Sequence, residues 1–212
     1  MNFKNYDLVL ITDEKERLYF LGFHSTAGYV LITPEKKYFV VDDRYVKAAE
    51  KALTKKGVKV LRGSDYSFLK QFAEENGYKT IAVDFTKITV SEYEEMKKLG
   101  FEYVDASEEI RDEMSVKTDE EIKYIAKACD IAERAWKETL PFIKAGVTER
   151  EVANELEYNF KKFGASGTSF DTIVAFGKNA AVPHHETARR NSKITSAFSW
   201  TSVAFIRGTA RI

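Results

Sequence analysis

The sequence contains few of the residues that would assign it to a specialised class of protein. Cys129 is its one cysteine among 212 residues, so no disulfide can form within the chain and the cytoplasm is the expected compartment. Lys plus Arg and Asp plus Glu are equal at 33 each, so no positive excess predicts nucleic acid as a partner. The opening segment, "MNFKNYDLVLITDEKERLYF", has too short an apolar run for a signal peptide or a membrane span. The composition favours a globular protein of one large or two small domains.

The first half of the chain alternates two kinds of segment. Runs rich in β-branched and aromatic residues predict five strands, at 7–12, 29–33, 38–41, 58–61 and 80–85. Three segments between or after them have helical character and end in glycine, which is favoured just past a helix C-terminus; they are 44–57, 66–77 and 91–100. This alternation predicts an α/β domain over residues 1–114.

The second half, residues 115–212, opens with two helix-start signals. "TDEE" (118–121) and "TERE" (148–151) each place Glu three residues after Thr, which is a capping box. The first helix is expected to bury one apolar stripe made of Ile122, Ile125, Cys129, Trp136, Leu140 and Ile143. The second helix is expected to run to Gly164, with Val152, Leu156 and Phe160 facing inward. A strand at 169–177 and a polar loop follow.

That loop, "AAVPHHETARR" (180–190), carries two of the three histidines of the chain, His184 and His185. A His-His pair next to a proline is by itself more often a solvated loop feature than a catalytic one. Asp171, in the preceding strand, is a further candidate, which we interpret as a structural or rim polar group.

Taken together, these segments resemble a known family. "SVKTDEEIKYIAKACDIAERAW", "FIKAGVTEREVANELEYNFKKFGASGTSFDTIVAFGKNAAVPHHET" and, earlier, "RLYFLGFHSTAGYVLITPEKKYFVVDDRYVKAA" are similar to the Xaa-Pro peptidases, prolidase and aminopeptidase P. The resemblance implies a creatinase-type N-terminal α/β domain, followed by the opening part of a pita-bread α+β catalytic domain with two helices and one or two strands. It covers residues 5 to about 187.

The resemblance also implies a chemistry. Members of this family hydrolyse the peptide bond before proline with two divalent metals (Mn, Co or Zn), held by two aspartates, one histidine and two glutamates. His184 takes the position of the family's substrate-facing histidine, which stabilises the tetrahedral intermediate or handles a proton. His185 is its neighbour and a subsidiary substrate-binding candidate. Proline-containing peptides are the implied substrates.

The metal ligands, in contrast, are not found in the sequence. After Glu186 the tail contains no acidic residue and no histidine, whereas a catalytic metal keeps at least three protein ligands. We therefore predict no metal-binding residue here and an inactive chain. Trp200 is encoded by TGG and Thr201 by ACN. If the reading frame is moved back by one base, these bases become NTG followed by GAC, and GAC encodes Asp. The resemblance implies an aspartate at this place, in the family's ligand strand. We expect a frame change between about Glu186 and Phe198, with an aberrant tail from about residue 188.

Two functional classes remain open at this point. The chain is part of an Xaa-Pro dipeptidase or aminopeptidase that is active only at full length, or it is a non-catalytic dimerisation or binding module. An unpaired edge strand and an uncovered apolar helix face would both favour self-association, so we expect a homo-oligomer.

Overall fold

The chain folds into two compact units in a computed structural model, and each unit is described by itself. Unit 1 comprises residues 1–117 and unit 2 comprises residues 118–212. The structure describes residues 3, 5–187, 198–201 and 204–205, the last two segments by their backbone alone. None of the helices in these ranges is long and apolar enough to cross a membrane.

Unit 1 is built on a six-stranded mixed sheet. The strand order is β4-β3-β2-β1-β5-β6, and the strands are β1 (Val9–Ile11), β2 (Tyr29–Ile32), β3 (Lys37–Val41), β4 (Val58–Arg62), β5 (Thr80–Val83) and β6 (Glu102–Asp105). Strand β2 runs antiparallel to β1 and to β3, whereas β4, β5 and β6 join their neighbours in parallel. The sheet confirms the predicted α/β class.

Five helices accompany this sheet: α1 (Glu14–Leu21), α2 (Val46–Leu53), α3 (Ser67–Glu75), α4 (Val90–Lys97) and α5 (Ser107–Ser115). Both faces of the sheet are buried, because successive strand residues point to opposite sides. Val9 and Ile11 belong to one hydrophobic cluster, while Leu10 belongs to the other. Strands covered on both faces read as continuous apolar runs, which explains why the sequence revealed five of the six.

Three elements of unit 1 were not predicted: α1, β6 and α5. Helix α1, "EKERLYFL", shows almost no apolar periodicity. Its start is stabilised instead by the Asp13 side chain, which accepts hydrogen bonds from the Lys15 and Glu16 backbone N–H groups. Strand β6 is short and half-exposed. Such segments carry a weak hydrophobic signal, and packing against their neighbours determines their structure.

The "DDRY" segment (42–45) is held by two ion pairs. Arg44 pairs with Asp42, at 2.6 Å, and Asp43 pairs with Arg62, also at 2.6 Å. Asp42 accepts both the backbone N–H and the guanidinium of Arg44. The motif is therefore a locally closed turn between β3 and α2.

In unit 2, both capping boxes are confirmed. Thr118 and Glu121 exchange reciprocal hydrogen bonds at the start of α6 (Asp119–Thr139), and Thr148 and Glu151 do so at the start of α7 (Glu149–Lys162). The described strands are β7 (Gly167–Thr168), β8 (Ile173–Phe176), β9 (Phe198–Thr201) and β10 (Ala204–Phe205). Strand β8 pairs antiparallel with β9, and β7 pairs antiparallel with β10. The predicted edge strand β8 thus has a hydrogen-bonded neighbour. Most of the predicted aberrant tail lies outside the described residues.

The buried face of α6 is not the predicted one. Ala128, Ile131 and Ala135 pack against Leu156 and Phe160 of α7. Ile122 and Cys129 are exposed instead, so the expectation that Cys129 is a core residue is wrong. Alanines let two helices approach closely, and α7 therefore packs on the side of α6 that carries them.

Helix α7 packs on both α6 and β8. Its Leu156 and Phe160 face α6, while Val152 and Ala153 contact Val174 and Phe176 of β8. The N-terminus of α7 consequently lies beside the end of β8, where the histidine loop begins.

Candidate functional site

The loop that follows β8 ends in a tight turn with His184 at its tip. Residues Gly177–Ala181 form a 3-10 helix, and the His185 backbone N–H then donates to the Val182 carbonyl at 3.2 Å. In this four-residue turn Pro183 takes the second position, where its restricted φ is favourable. His184 takes the third position and is exposed.

His184 lines an open cavity of about 890 Å³. Phe170 and Asp171 precede β8 on one part of its wall, and Arg150 and Glu157 of α7 form another. The cavity therefore combines an imidazole, both signs of charge and one aromatic ring. Such a lining suits a short peptide, whose backbone and termini are polar. The prediction that Asp171 is a rim polar group stays a prediction.

His185 also lines this cavity, and its ring reaches the start of α7. Its Nε2 atom lies 2.9 Å from Glu149 Oε2, and the two side chains are 14% and 0% exposed. The subsidiary substrate contact expected of His185 stays a prediction, and its ring contacts a buried carboxyl group.

Glu149 is the residue that organises the loop. It is the first residue of α7, where backbone N–H groups and the helix dipole favour negative charge. Its Oε1 atom accepts from the Phe176 backbone N–H at 2.7 Å and from Asn179 Nδ2 at 2.8 Å. With His185 on Oε2, three donors converge on this buried carboxyl group, which offsets the cost of its burial.

A second set of contacts holds the far end of the loop. The Thr187 hydroxyl donates to the Thr172 carbonyl at 2.8 Å and accepts from the Val174 N–H at 2.9 Å. Arg150, next to Glu149, donates to the Thr187 carbonyl at 2.8 Å. Both ends of the segment that carries His184 are thus attached to the first turn of α7.

Glu149 and Asn179 were not identified from the sequence. Glu149 lies inside "TERE", but the capping box drew attention to Glu151, which caps the helix and is exposed. Asn179 lies 30 residues from Glu149. One sequence feature could have identified Glu149. It directly follows the N-cap residue of a predicted helix, and the predicted strand after that helix leads into the histidine loop.

Two family matches cover most of the chain. Residues 1–113 match the Creatinase/Prolidase N-terminal domain, and residues 123–202 match metallopeptidase family M24. The second match extends past residue 188, where an aberrant tail was predicted.

Individual relatives agree with these matches. A peptidase of Bacillus subtilis, YqhT, is 32% identical over 182 residues, which are 84% of this chain and 51% of that protein. The solved structure of an Xaa-Pro dipeptidase from Bacillus anthracis has a TM-score of 0.89 at 32% identity and covers 96% of this chain and 57% of its own. An X-Pro aminopeptidase from Thermotoga maritima has a TM-score of 0.88 at 29% identity, covering 96% and 60%.

The two domains, in this order, define a class of metallopeptidase with a creatinase-type N-terminal domain. The chain belongs to the Xaa-Pro peptidase family, which comprises prolidases and aminopeptidases P. It spans about half the length of the curated relatives it matches.

Metallopeptidases use divalent metals, so the residues were tested for a metal site. Among residues 3, 5–187, 198–201 and 204–205, no group of three or more His, Cys, Asp or Glu side chains could hold a metal ion. His185 and Glu149 form a pair whose atoms are already occupied by each other and by neighbouring donors. These residues do not fit a catalytic metal centre, and no step through a metal is derived from them.

Proposed function

We propose that the whole protein to which this chain belongs is a cytoplasmic Xaa-Pro exopeptidase, which hydrolyses the peptide bond that precedes a proline. The observation that carries the proposal is the position of His184 at the tip of an anchored turn, over an open polar cavity. Membership of the family supplies the reaction class. Relatives of this chain bear both the names Xaa-Pro dipeptidase and X-Pro aminopeptidase, so the reaction is stated at the level that these two share.

In this proposal His184 contacts the substrate. Its imidazole is exposed to the cavity, and a histidine can donate a hydrogen bond to a developing oxyanion or transfer a proton. Arg150 and Glu157, which also line the cavity, offer opposite charges to the termini of a short peptide. The metal-held nucleophile would come from residues outside those that the structure describes.

The test is a hydrolysis assay on the whole protein, as its gene encodes it. The substrates are Ala-Pro, the tripeptide Gly-Pro-Ala and, as a control, Gly-Ala, each with added Mn²⁺, Co²⁺ or Zn²⁺. Cleavage of both proline-containing peptides but not of Gly-Ala is expected. Cleavage of Ala-Pro alone would narrow the function to a dipeptidase, whereas no cleavage with any of these metals would refute the proposal.

A variant ties the activity to the site. H184A is expected to lower kcat about 10²–10³-fold with a smaller change in KM, because the histidine acts mainly as the transition state forms. The matched control is H24Q, which alters an exposed histidine of unit 1. If H184A had the same kcat as the parent, the cavity that His184 lines would have no role in catalysis.

One observation favours a second candidate function, a non-catalytic module that self-associates. Ile122 on α6 is 52% exposed, and Leu140, directly after α6, is 44% exposed. Exposed apolar side chains favour association with a second copy. Sedimentation equilibrium of the chain is expected to detect a dimer that I122E weakens and A145E, at an exposed position outside the helices, does not. A monomer at all concentrations would exclude this candidate.

A further inference from the structure

The two adjacent histidines have different surroundings. Both line the cavity, but His184, third in the turn, is exposed, whereas His185, fourth in the turn, also contacts the buried Glu149 carboxyl group. Successive positions of a tight turn project in different directions. A fixed direction for His185 therefore also limits the directions open to His184.

Glu149 joins three points along the path of the loop. Its side chain is hydrogen-bonded to the Phe176 N–H at the end of β8, to Asn179 in the 3-10 helix and to His185 in the turn. Because the carboxyl group is 0% exposed, water does not compete for these bonds, and hydrogen bonds to a buried carboxylate are among the strongest in proteins. The turn is held against the rigid first turn of a helix.

With Glu149 assigned as a carboxylate, which can only accept, the donor of this contact is His185 Nε2. Asn179 Nδ2 lies 3.4 Å from the same Nε2 atom. In this assignment both nitrogens donate to Glu149, so their approach is a contact and not a hydrogen bond. The Phe176 N–H and Asn179 share Oε1, whereas His185 donates to Oε2.

We propose that His185 is a positioning residue: anchored to Glu149, it orients the turn that presents His184 to the cavity. The consequence for catalysis rests on the proposed function, whereas the orientation of His184 does not. The proposal assigns a role to a pair of residues that lie 36 positions apart.

The test is NMR spectroscopy of the 212-residue chain labelled with ¹⁵N and ¹³C in its three histidines, at one fixed pH. In the parent chain we expect a slowly exchanging His185 Nε2–H signal and a single set of His184 ring signals. H185A is expected to shift and broaden the His184 ring signals. H185Q, whose amide can still donate to Glu149, is expected to restore them. H24Q is the matched control and should leave both signals unchanged.

A residue with only a general stabilising role would not produce this pattern. H185A and H185Q change one partly exposed side chain, and unchanged backbone signals from unit 1 and α6 would verify folding. Identical His184 ring signals in the parent, H185A and H185Q would overturn the proposal. So would a His185 Nε2–H signal that persists in E149L, which has no acceptor at this position, or that exchanges rapidly in the parent.

In the whole protein, H185A is expected to lower kcat roughly 10–100-fold with KM within about threefold, because a misplaced catalytic group affects the chemical step most. H185Q is expected to recover most of that loss. If the whole protein has no peptidase activity, the proposed function fails, but the spectra still decide the positioning role. If the His184 ring signals do not change as expected but the whole protein has peptidase activity, only the positioning role is refuted.

Discussion

Glu16 and Asp84 form a buried pair of acids in unit 1, and the pair makes a quantitative prediction about stability. Glu16 on α1 is 4% exposed, and Asp84, just after β5, is 6% exposed. The pKa of Glu16 is raised to about 8, mainly by burial and then by the hydrogen bond and negative charge of Asp84, against a smaller opposing effect of Lys87. Burial also opposes ionisation of Asp84, but hydrogen bonds from Thr86, Glu16 and Ser107 outweigh it and lower the pKa of Asp84. A neutral Glu16 thus donates to an ionised Asp84.

The sign of the pH dependence follows from the direction of the shift. A carboxyl group whose pKa is raised on folding contributes fully to stability at pH values below its pKa in the unfolded chain. That stability is lost as the pH rises through its pKa in the folded protein. The pKa rises from 4.5 in the unfolded chain to about 8 in the folded protein. This shift lowers the free energy of unfolding by on the order of 5 kcal/mol between roughly pH 4 and pH 9, and about 3 kcal/mol of that is lost by pH 7. Asp84 acts in the opposite direction, because its lowered pKa removes stability only in acid.

The substitution E16Q removes the titration while its amide can still donate to Asp84. We expect E16Q to be about 2–3 kcal/mol more stable than the parent at pH 7, with the difference growing toward pH 9 and disappearing near pH 4.5. Hydrogen–deuterium exchange of peptides from β1 and β5 measures this free energy within unit 1. The matched control is E50Q, on the exposed surface of α2, which removes the same charge without a buried partner. If E16Q and the parent have the same stability at pH 7 and pH 9, the reasoning is wrong.

Two further substitutions test packing, one in each unit. Gly28 has φ +98°, and a Cβ there would lie 2.4 Å from the Val40 carbonyl oxygen. G28A is therefore expected to lower the free energy of unfolding of unit 1, measured by hydrogen exchange, by more than about 2 kcal/mol. The control G57A, at φ +79° with open space around it, should lower it by about 1 kcal/mol. Leu156 is fully buried between α6 and α7, so L156A should cost about 2–5 kcal/mol in urea unfolding followed by tryptophan fluorescence; both tryptophans lie in unit 2. I122A, at an exposed position, is the control for L156A and should change little. Equal effects within either pair would contradict the packing described.

The elements that were predicted correctly carry their signals within a few residues. In each capping box the threonine and the glutamate are three positions apart, so the pattern and the hydrogen bonds it forms coincide. Four of the five predicted strands, β1, β2, β3 and β5, are mostly buried on both sides of the sheet and therefore read as apolar runs, whereas β4 has exposed Lys59 and Arg62. Helix α1 and strand β6 lack such a local signal, which is why they were missed.

The stripe of α6 shows where local patterns are insufficient. The helix carries apolar residues on more than one side, and spacing alone cannot tell which side a partner covers. Helix α7 covers the side with Ala128 and Ala135, leaving Ile122 and Cys129 exposed. The choice depends on how closely two helices can approach, and this is a property of the pair.

The sequence by itself determined the family, the α/β class of unit 1, the starts of α6 and α7, and His184 as a candidate. Each of these depends on residues that are close along the chain or on motifs that the family shares. Only the tertiary structure distinguished the two histidines. Both line the cavity, but His185 is also bound to Glu149. The donors of Glu149 come from positions 27, 30 and 36 residues away and meet only once α7 packs beside β8.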